Sequence, residues 1–296
     1  MRIVVTGSQG QVVQSLIKRA RDSKDEVVAI GRPILDLADP ARIFPALEAA
    51  APDLIVSAAA YTAVDRAEEE VDAAYAVNVA GAGAVAQAAS ALGVPIIHLS
   101  TDYVFNGRKD APYLESDPTD PLGVYGGSKL AGEAAVQAAC ANSIILRTAW
   151  VYSPFGHNFV KTMLRLAAGR DELGVVADQW GNPTSALDIA DGILAVARNL
   201  VADPSPHLRG IFHMTGAGAT HWADFATAIF AASGRLGGPS ARVKAITTAE
   251  YPTPAPRPAN SRLDCGKLES VYGVRLPAWE ISMADVVERV LGEAKS

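Results

Sequence analysis

In the first half of the chain, apolar residues fall in short dense runs separated by longer amphipathic stretches. RIVVT (2–6), EVVAI (26–30), DLIVSA (53–58), VPIIHLS (94–100) and SIILRT (143–148) are apolar runs of strand length. The intervening spacing predicts helices from about Gln11 to Asp22, through PARIFPALEAAA, and from Val124 to Ala141. Pro45 should limit the regularity of the second. VDAAYAVNVAGAGAVAQAASALG reads as one long helix stopped at Gly93. Strands apolar throughout, alternating with helices, predict a parallel sheet covered on both faces. Right-handed crossovers then give an α/β, Rossmann-type doubly wound fold, with ligands at the carboxyl ends of the strands.

Beyond Trp150 the pattern loosens. ELGVVADQWGNPTS predicts a short strand ending in a polar loop, ALDIADGILAVARNLV a helix and GIFHMTG a strand. The proline-rich EYPTPAPRPANSRLD reads as an ordered, irregular loop. The expected division is a cofactor-binding domain over 1–149, whose sheet also takes elements from about 172–215. A smaller, interleaved substrate-binding lobe covers mainly 150–296.

Composition narrows the function. The chain has 296 residues, 49% of them hydrophobic, enough for a substantial core. A net charge of -6, with 20% charged residues, argues against a nucleic-acid binder. No apolar run approaches the ~20 residues of a membrane span, and the N-terminus carries no signal-peptide pattern. A cytoplasmic location is expected. Cys140 and Cys265 form no CxxC pair and the five histidines never stand at i, i+4, so no metal site is expected. His98, inside VPIIHLS, reads as a hydrogen-bonded core histidine.

Chemistry concentrates at predicted strand ends. VTGSQGQVV places Gly7 and Gly10 where a tight turn and a close approach to a pyrophosphate require them, ahead of a helix N-terminus. Val13 stands where a third glycine usually serves helix–strand packing. After the second strand comes Gly31-Arg32 rather than an acid; an arginine there suits a 2′-phosphate, which favours NADPH, with NADH the alternative. The strongest feature is Tyr125-Gly-Gly-Ser-Lys129. On a helix, i, i+4 spacing puts phenol and ammonium on one face, and the ammonium should lower the phenol pKa. Tyr125 then supplies a proton to a forming alkoxide. Ser100-Thr101-Asp102-Tyr103 follows another strand, where Thr101 is placed to align a carbonyl, with a capped turn as the alternative for Asp102.

With VTGSQGQV, SAAAYTAVDRAEEE, YAVNV, HLSTDYVFNG, YGGSKLAGE, RTAWVY, DQWGNPT and PRPANSRLD in hand, the chain resembles the extended short-chain dehydrogenase/reductases. More narrowly it is similar to the dTDP-4-dehydrorhamnose reductase family, over nearly its whole length. The resemblance implies NADPH-dependent reduction of the C4 ketone of dTDP-4-dehydro-L-rhamnose. It implies cofactor contacts at Gly10, Gln11, Val12, Asp36, Leu37, Ala60, Tyr61 and Thr62. Tyr125 and Lys129 would be the catalytic pair. Thr101, Asp102, Tyr103 and Trp150 would face the sugar. Asn182, Thr184 and Arg257 would reach the nucleotide. Ser57 stands where relatives commonly have asparagine. Ser15 and Leu187 stand where some relatives carry the acids of a magnesium-bridged dimer, so no such bridge is expected and the chain is read as a monomer or another homodimer. Two alternatives stay open: another sugar-nucleotide reductase or epimerase, and a non-catalytic regulator like the β subunit of methionine adenosyltransferase.

Overall fold

The computed structural model describes residues 1–21 and 23–293. A six-stranded sheet forms its centre. β1 (Arg2–Thr6), β2 (Glu26–Ile30), β3 (Leu54–Ser57), β4 (Ile96–Thr101) and β5 (Ser143–Thr148) are its first five strands in chain order. Every pairing in this sheet is parallel. The spatial order reverses beside β1: β2 lies on one side of it and β3 on the other. That reversal opens a crevice at the carboxyl ends of β1 and β3.

Helices cover both faces. α1 (Gln11–Ala20) follows β1, and α2 (Ile43–Ala50) precedes β3. The reading of a helix reaching Asp22 ends on a residue outside those described. Pro45 leaves α2 regular, because it occupies the first turn, where no amide is needed for the helical ladder. α3 (Val64–Ala67) is a single turn. The expected long helix is interrupted: α4 (Val71–Tyr75) passes into a π-turn, Ala76–Gly81, before α5 (Ala82–Leu92). Gly93 ends α5 in the left-handed conformation. α6 (Val124–Ala139) then connects β4 to β5.

The remaining residues build a smaller lobe and return to the sheet. β6 (Val151–Tyr152), α7 (Phe159–Ala167), β7 (Glu172–Val176), β8 (Trp180–Gly181) and β9 (Thr184–Ser185) lead to α8 (Ala186–Ala202) and β10 (Gly210–His213). β11 (Thr220–His221), α9 (Trp222–Arg235), β12 (Arg242–Ile246), α10 (Gly266–Tyr272) and α11 (Trp279–Glu293) follow. Of the segment 172–215, only β10 joins the main sheet, as its edge strand beside β5. β7 instead pairs with β12 in the smaller lobe, because its buried residues Leu173 and Val175 pack there with α7 and α9.

Among the described residues the three largest apolar cores are these, with a small fourth cluster of Val104, Phe105, Tyr113 and Leu263 beside the turn after β4. One lies between the sheet and α1, α8 and α10; another lies between the sheet and α2, α5 and α6. The third fills the smaller lobe around α7, α9 and α11. Among the described residues, no helix is long and apolar enough to cross a membrane.

Candidate active site

The turn after β1 forms as its glycines require. Gly7 has φ +96°, a left-handed conformation that side chains disfavour. Its amide donates to the Ile30 carbonyl at 2.7 Å, tying the turn to β2. Gly10 precedes α1, and no side chain caps its first turn. A Cβ at position 10 would meet only Val13, at 3.7 Å. The open first-turn amides of Gln11 and Val12, at the positive end of α1, thus fit a pyrophosphate. Val13 is 2% exposed and belongs to the α1–sheet core. Its Cγ2 lies at ordinary contact distance, 3.6 and 3.7 Å, from where Cβ atoms of Gly7 and Gly10 would stand, so the valine packs beside the turn without crowding it.

Polar clasps hold this turn. Thr6 Oγ1 accepts from the amides of Ala58 and Ala59, joining the loops after β1 and β3. The side chain of Gln11 turns away from the crevice. Its Oε1 accepts from Ser153 Oγ at 2.8 Å and Asn158 Nδ2 at 3.0 Å, linking α1 to the start of the smaller lobe. Arg32 is exposed just past β2. Asp36 caps its own turn by accepting from the Ala38 amide, and Leu37 is buried. Ala60 and Tyr61 are partly exposed and Thr62 is exposed along the loop after β3.

Tyr125 lies in the first turn of α6 and Lys129 one turn later, against the end of β4. Two glycines bring α6 this close. A Cβ at Gly126 would overlap the Tyr103 carbonyl, and one at Gly132 the Asn78 carbonyl of the π-turn. Asn78 binds both neighbours: its Oδ1 accepts from the Tyr61 amide at 2.8 Å and its Nδ2 donates to Ser128 Oγ at 3.0 Å. Ser128 in turn donates to the Tyr125 carbonyl. The Glu68 carboxylate accepts from the Val124 amide at 2.9 Å, capping α6 from a distant segment. A polar residue inside the apolar run YAVNV was the available sequence signal for Asn78; nothing local marked Glu68.

Electrostatics suit a proton donor. Desolvation pushes the Tyr125 phenol up to about 12; a hydrogen bond with Thr101 opposes the rise and the Asp102 charge adds to it. Lys129 does not lower it here, contrary to the expectation. Its ammonium points under the helix, donating to the Leu99 carbonyl at 2.6 Å and lying 3.4 Å from His98 Nε2. Burial lowers Lys129 to about 8, against the pull of Glu133. Glu133 accepts from Ser100 Oγ at 2.5 Å and from Arg147 at 2.9 and 2.7 Å, with both partners of the ion pair 2% exposed.

Thr101 Oγ1 donates to Asp102 Oδ1 at 3.0 Å and accepts from the Tyr103 amide. Asp102 is 3% exposed and its Oδ2 has no partner. Burial pushes its pKa up to about 6, against hydrogen bonds from Ser261 and Thr101. Tyr103 meets Tyr125 edge-on at 5.8 Å, and burial raises its phenol pKa. A small pocket opens beside the two rings, lined also by Glu68, Gly123, Pro256 and Pro258.

The structure does not bring every expected substrate residue to this pocket. Thr184 is fully buried, donating to the Asn182 carbonyl and accepting from the Gly216 amide. Asn182 spends its side chain on Leu263 and Gly218. Both residues hold loops together. Trp150, at φ +46°, stacks on Trp222 with ring centroids 3.5 Å apart. The proline-rich strap borders the pocket through Ala255, Pro256 and Pro258, and between them the Arg257 guanidinium pairs with Asp65 at 2.9 Å. Asp65 also accepts from the Ala255 amide, which anchors the strap twice. Ser15 and Leu187 are buried.

A doubly wound parallel sheet, a glycine turn with an open helix N-terminus and a Tyr–Lys pair beside Thr101 define a nicotinamide-dependent oxidoreductase of the short-chain dehydrogenase/reductase type. The comparisons narrow this class. The family model described as RmlD substrate binding domain matches residues 1–291, and the chain belongs to that family. It is 53% identical over 295 residues to the dTDP-4-dehydrorhamnose reductase of Sinorhizobium fredii (strain NBRC 101917 / NGR234), covering 100% of this chain and 99% of the relative. A dTDP-4-dehydrorhamnose reductase structure from Clostridium acetobutylicum superposes with TM-score 0.91 at 37% identity, over 98% of this chain and 100% of the other. One from Bacillus anthracis, in complex with NADP, gives TM-score 0.89 at 33% identity over 99% of each chain.

Proposed function

We propose that this protein reduces the C4 ketone of dTDP-4-dehydro-L-rhamnose to dTDP-L-rhamnose, using NADPH. The observation that carries the reading is Tyr125 at the pocket, edge-on to Tyr103 and one helical turn before Lys129, in a chain 53% identical to a reductase of that name. When bound, the reduced nicotinamide supplies hydride to the carbonyl carbon. Thr101 orients the carbonyl. Tyr125, held protonated by its surroundings, is the right form of the residue to donate to the developing alkoxide. Lys129 would hold the nicotinamide ribose. Gly7, Gly10, Gln11, Val12, Ala60, Tyr61 and Thr62 line the cofactor's path, Asp36 and Leu37 its adenine end, and Arg32 takes the 2′-phosphate. Tyr103 borders the sugar, with Asp102 behind it. Arg257 exchanges Asp65 for the diphosphate.

The test incubates purified protein with dTDP-4-dehydro-L-rhamnose and either NADPH or NADH. Sugar-dependent loss of the reduced cofactor, with dTDP-L-rhamnose as product, is expected. Normal NADPH binding without turnover would overturn the reading and favour a regulatory subunit.

A further inference from the structure

Successive residues of a strand face opposite sides of its sheet. The α6-facing positions of β4 are Ile96, His98 and Ser100. Ile96 joins the apolar core on that side. His98 and Ser100 are also buried, at 1% and 4% exposure, so each needs a partner in place of water. Ser100 has Glu133. His98 has two neighbours: Nδ1 lies 3.1 Å from Ser57 Oγ, and Nε2 faces the Lys129 ammonium. An ammonium has only donors to offer, so the ring atom facing it must accept. Nε2 then carries the lone pair and Nδ1 the proton, directed at Ser57. The lysine thereby sets the tautomer, and the serine hydroxyl, able to accept as well as donate, takes the Nδ1 proton.

We propose that His98, oriented by Ser57, is a positioning residue that holds the Lys129 ammonium in place and keeps it protonated. The inference rests on reading Lys129 as half of the Tyr–Lys pair. Several ionisable groups surround that ammonium. α6 itself carries Tyr125 and Glu133; β4 carries His98, with Asp102 just past its end. Arg147 of β5 acts through Glu133, whose charge it matches. The π-turn contributes Asn78, which is uncharged and reaches α6 at Ser128. The Leu99 carbonyl and His98 are the acceptors the ammonium meets directly. Burial and the Lys129 charge keep His98 well below its ordinary pKa, hence neutral and able to accept.

The experiment uses the full chain labelled with carbon-13 at lysine Cε, without cofactor or substrate. Lys129 is assigned by loss of its signal in Lys129→Met, and its titration is followed by NMR. His98→Leu should lower its proton-binding constant at least about threefold, as expected when one favourable contact to the charged form is removed. His98→Gln, whose amide oxygen can accept, should restore most of the loss. An unchanged Lys129 midpoint in folded His98→Leu overturns the proposal. If that variant does not fold, nitrogen-15 spectra of the unaltered protein decide: a neutral Nδ1–H ring is expected, and an Nε2–H ring overturns it. No sugar enters these measurements. A failed reductase assay would thus defeat the proposed function and leave the titration result standing.

Discussion

Gly126→Ala tests how far the catalytic geometry depends on α6 pressing against the turn after β4. A built Cβ lies 3.0 Å from both Pro121 Cβ and the Tyr103 carbonyl carbon, and nearer still to the Tyr103 oxygen. Carbon atoms approach comfortably to about 3.5–4.0 Å, so helix and turn must separate by roughly 1 Å. The atoms in the way are backbone and a proline ring, which cannot swing aside. Overpacking of this kind costs about 1–3 kcal/mol, partly offset by the ~1 kcal/mol that alanine gains over glycine in a helix. The larger effect is on alignment, because Tyr125 precedes the altered residue and Tyr103 flanks it. A misplacement of about 1 Å costs on the order of 100-fold in rate. Steady-state reduction of the keto sugar should therefore show kcat down about 100-fold while the melting temperature moves by only a few degrees. Gly83→Ala is the control: its Cβ makes only a 3.4 Å contact with Ala135 Cβ, and the helix should gain stability. If Gly126→Ala retains kcat within about threefold, the tight approach is not what aligns the phenol, and this reasoning fails.

Other substitutions address single groups. Tyr125→Phe should lower kcat by roughly 100- to 10,000-fold, as expected for loss of a general acid, with NADPH affinity nearly unchanged by fluorescence titration; near-normal turnover would remove Tyr125 from the mechanism. Arg32→Ala should weaken NADPH by about 10- to 100-fold, the loss of a charge-assisted contact, and barely affect NADH; equal losses for both would exclude a 2′-phosphate contact. Asp102 has a folded pKa raised from 3.8 to about 6, so its contribution is fully present below 3.8 and lost as pH rises through 6. Asp102→Asn, which stays neutral, should thus be more stable than the parent at pH 7 and above, on the order of 3 kcal/mol, and indistinguishable from it near pH 3. Denaturant midpoints across that range measure the difference.

What could be read from the chain was local. Each strand run, the glycine turn and the Tyr125–Lys129 pair is spelled within a few consecutive positions, and the parallel alternation follows from periodicity. The groups that hold them are not local. Asn78 meets α6 at Ser128, 50 residues later, and Asp65 meets Arg257 across 192. Such pairings exist only once the sheet has assembled. The reading of 71–93 as one uniform helix missed the π-turn because apolar spacing there is compatible with either geometry, whereas the choice depends on where Asn78 finds partners. Asn182 and Thr184 carry polar groups that suit a ligand and suit buried loop contacts equally well. In the fold, the backbone of neighbouring loops takes them.

The edge strand β10 has a consequence for how the molecule is made. It begins 62 positions after the last residue of β5, once β6 to β9, α7 and α8 have been synthesised. α8 arrives in the same interval and supplies Ile189, Ile193, Val196 and Leu200 to one face of the sheet; α10 adds Leu268 and Tyr272 later still. A growing chain that has released only its first half therefore carries a sheet covered on that side by α1 alone. The second half of the chain thus completes the first half's sheet, whereas the smaller lobe draws its core wholly from residues 150–291.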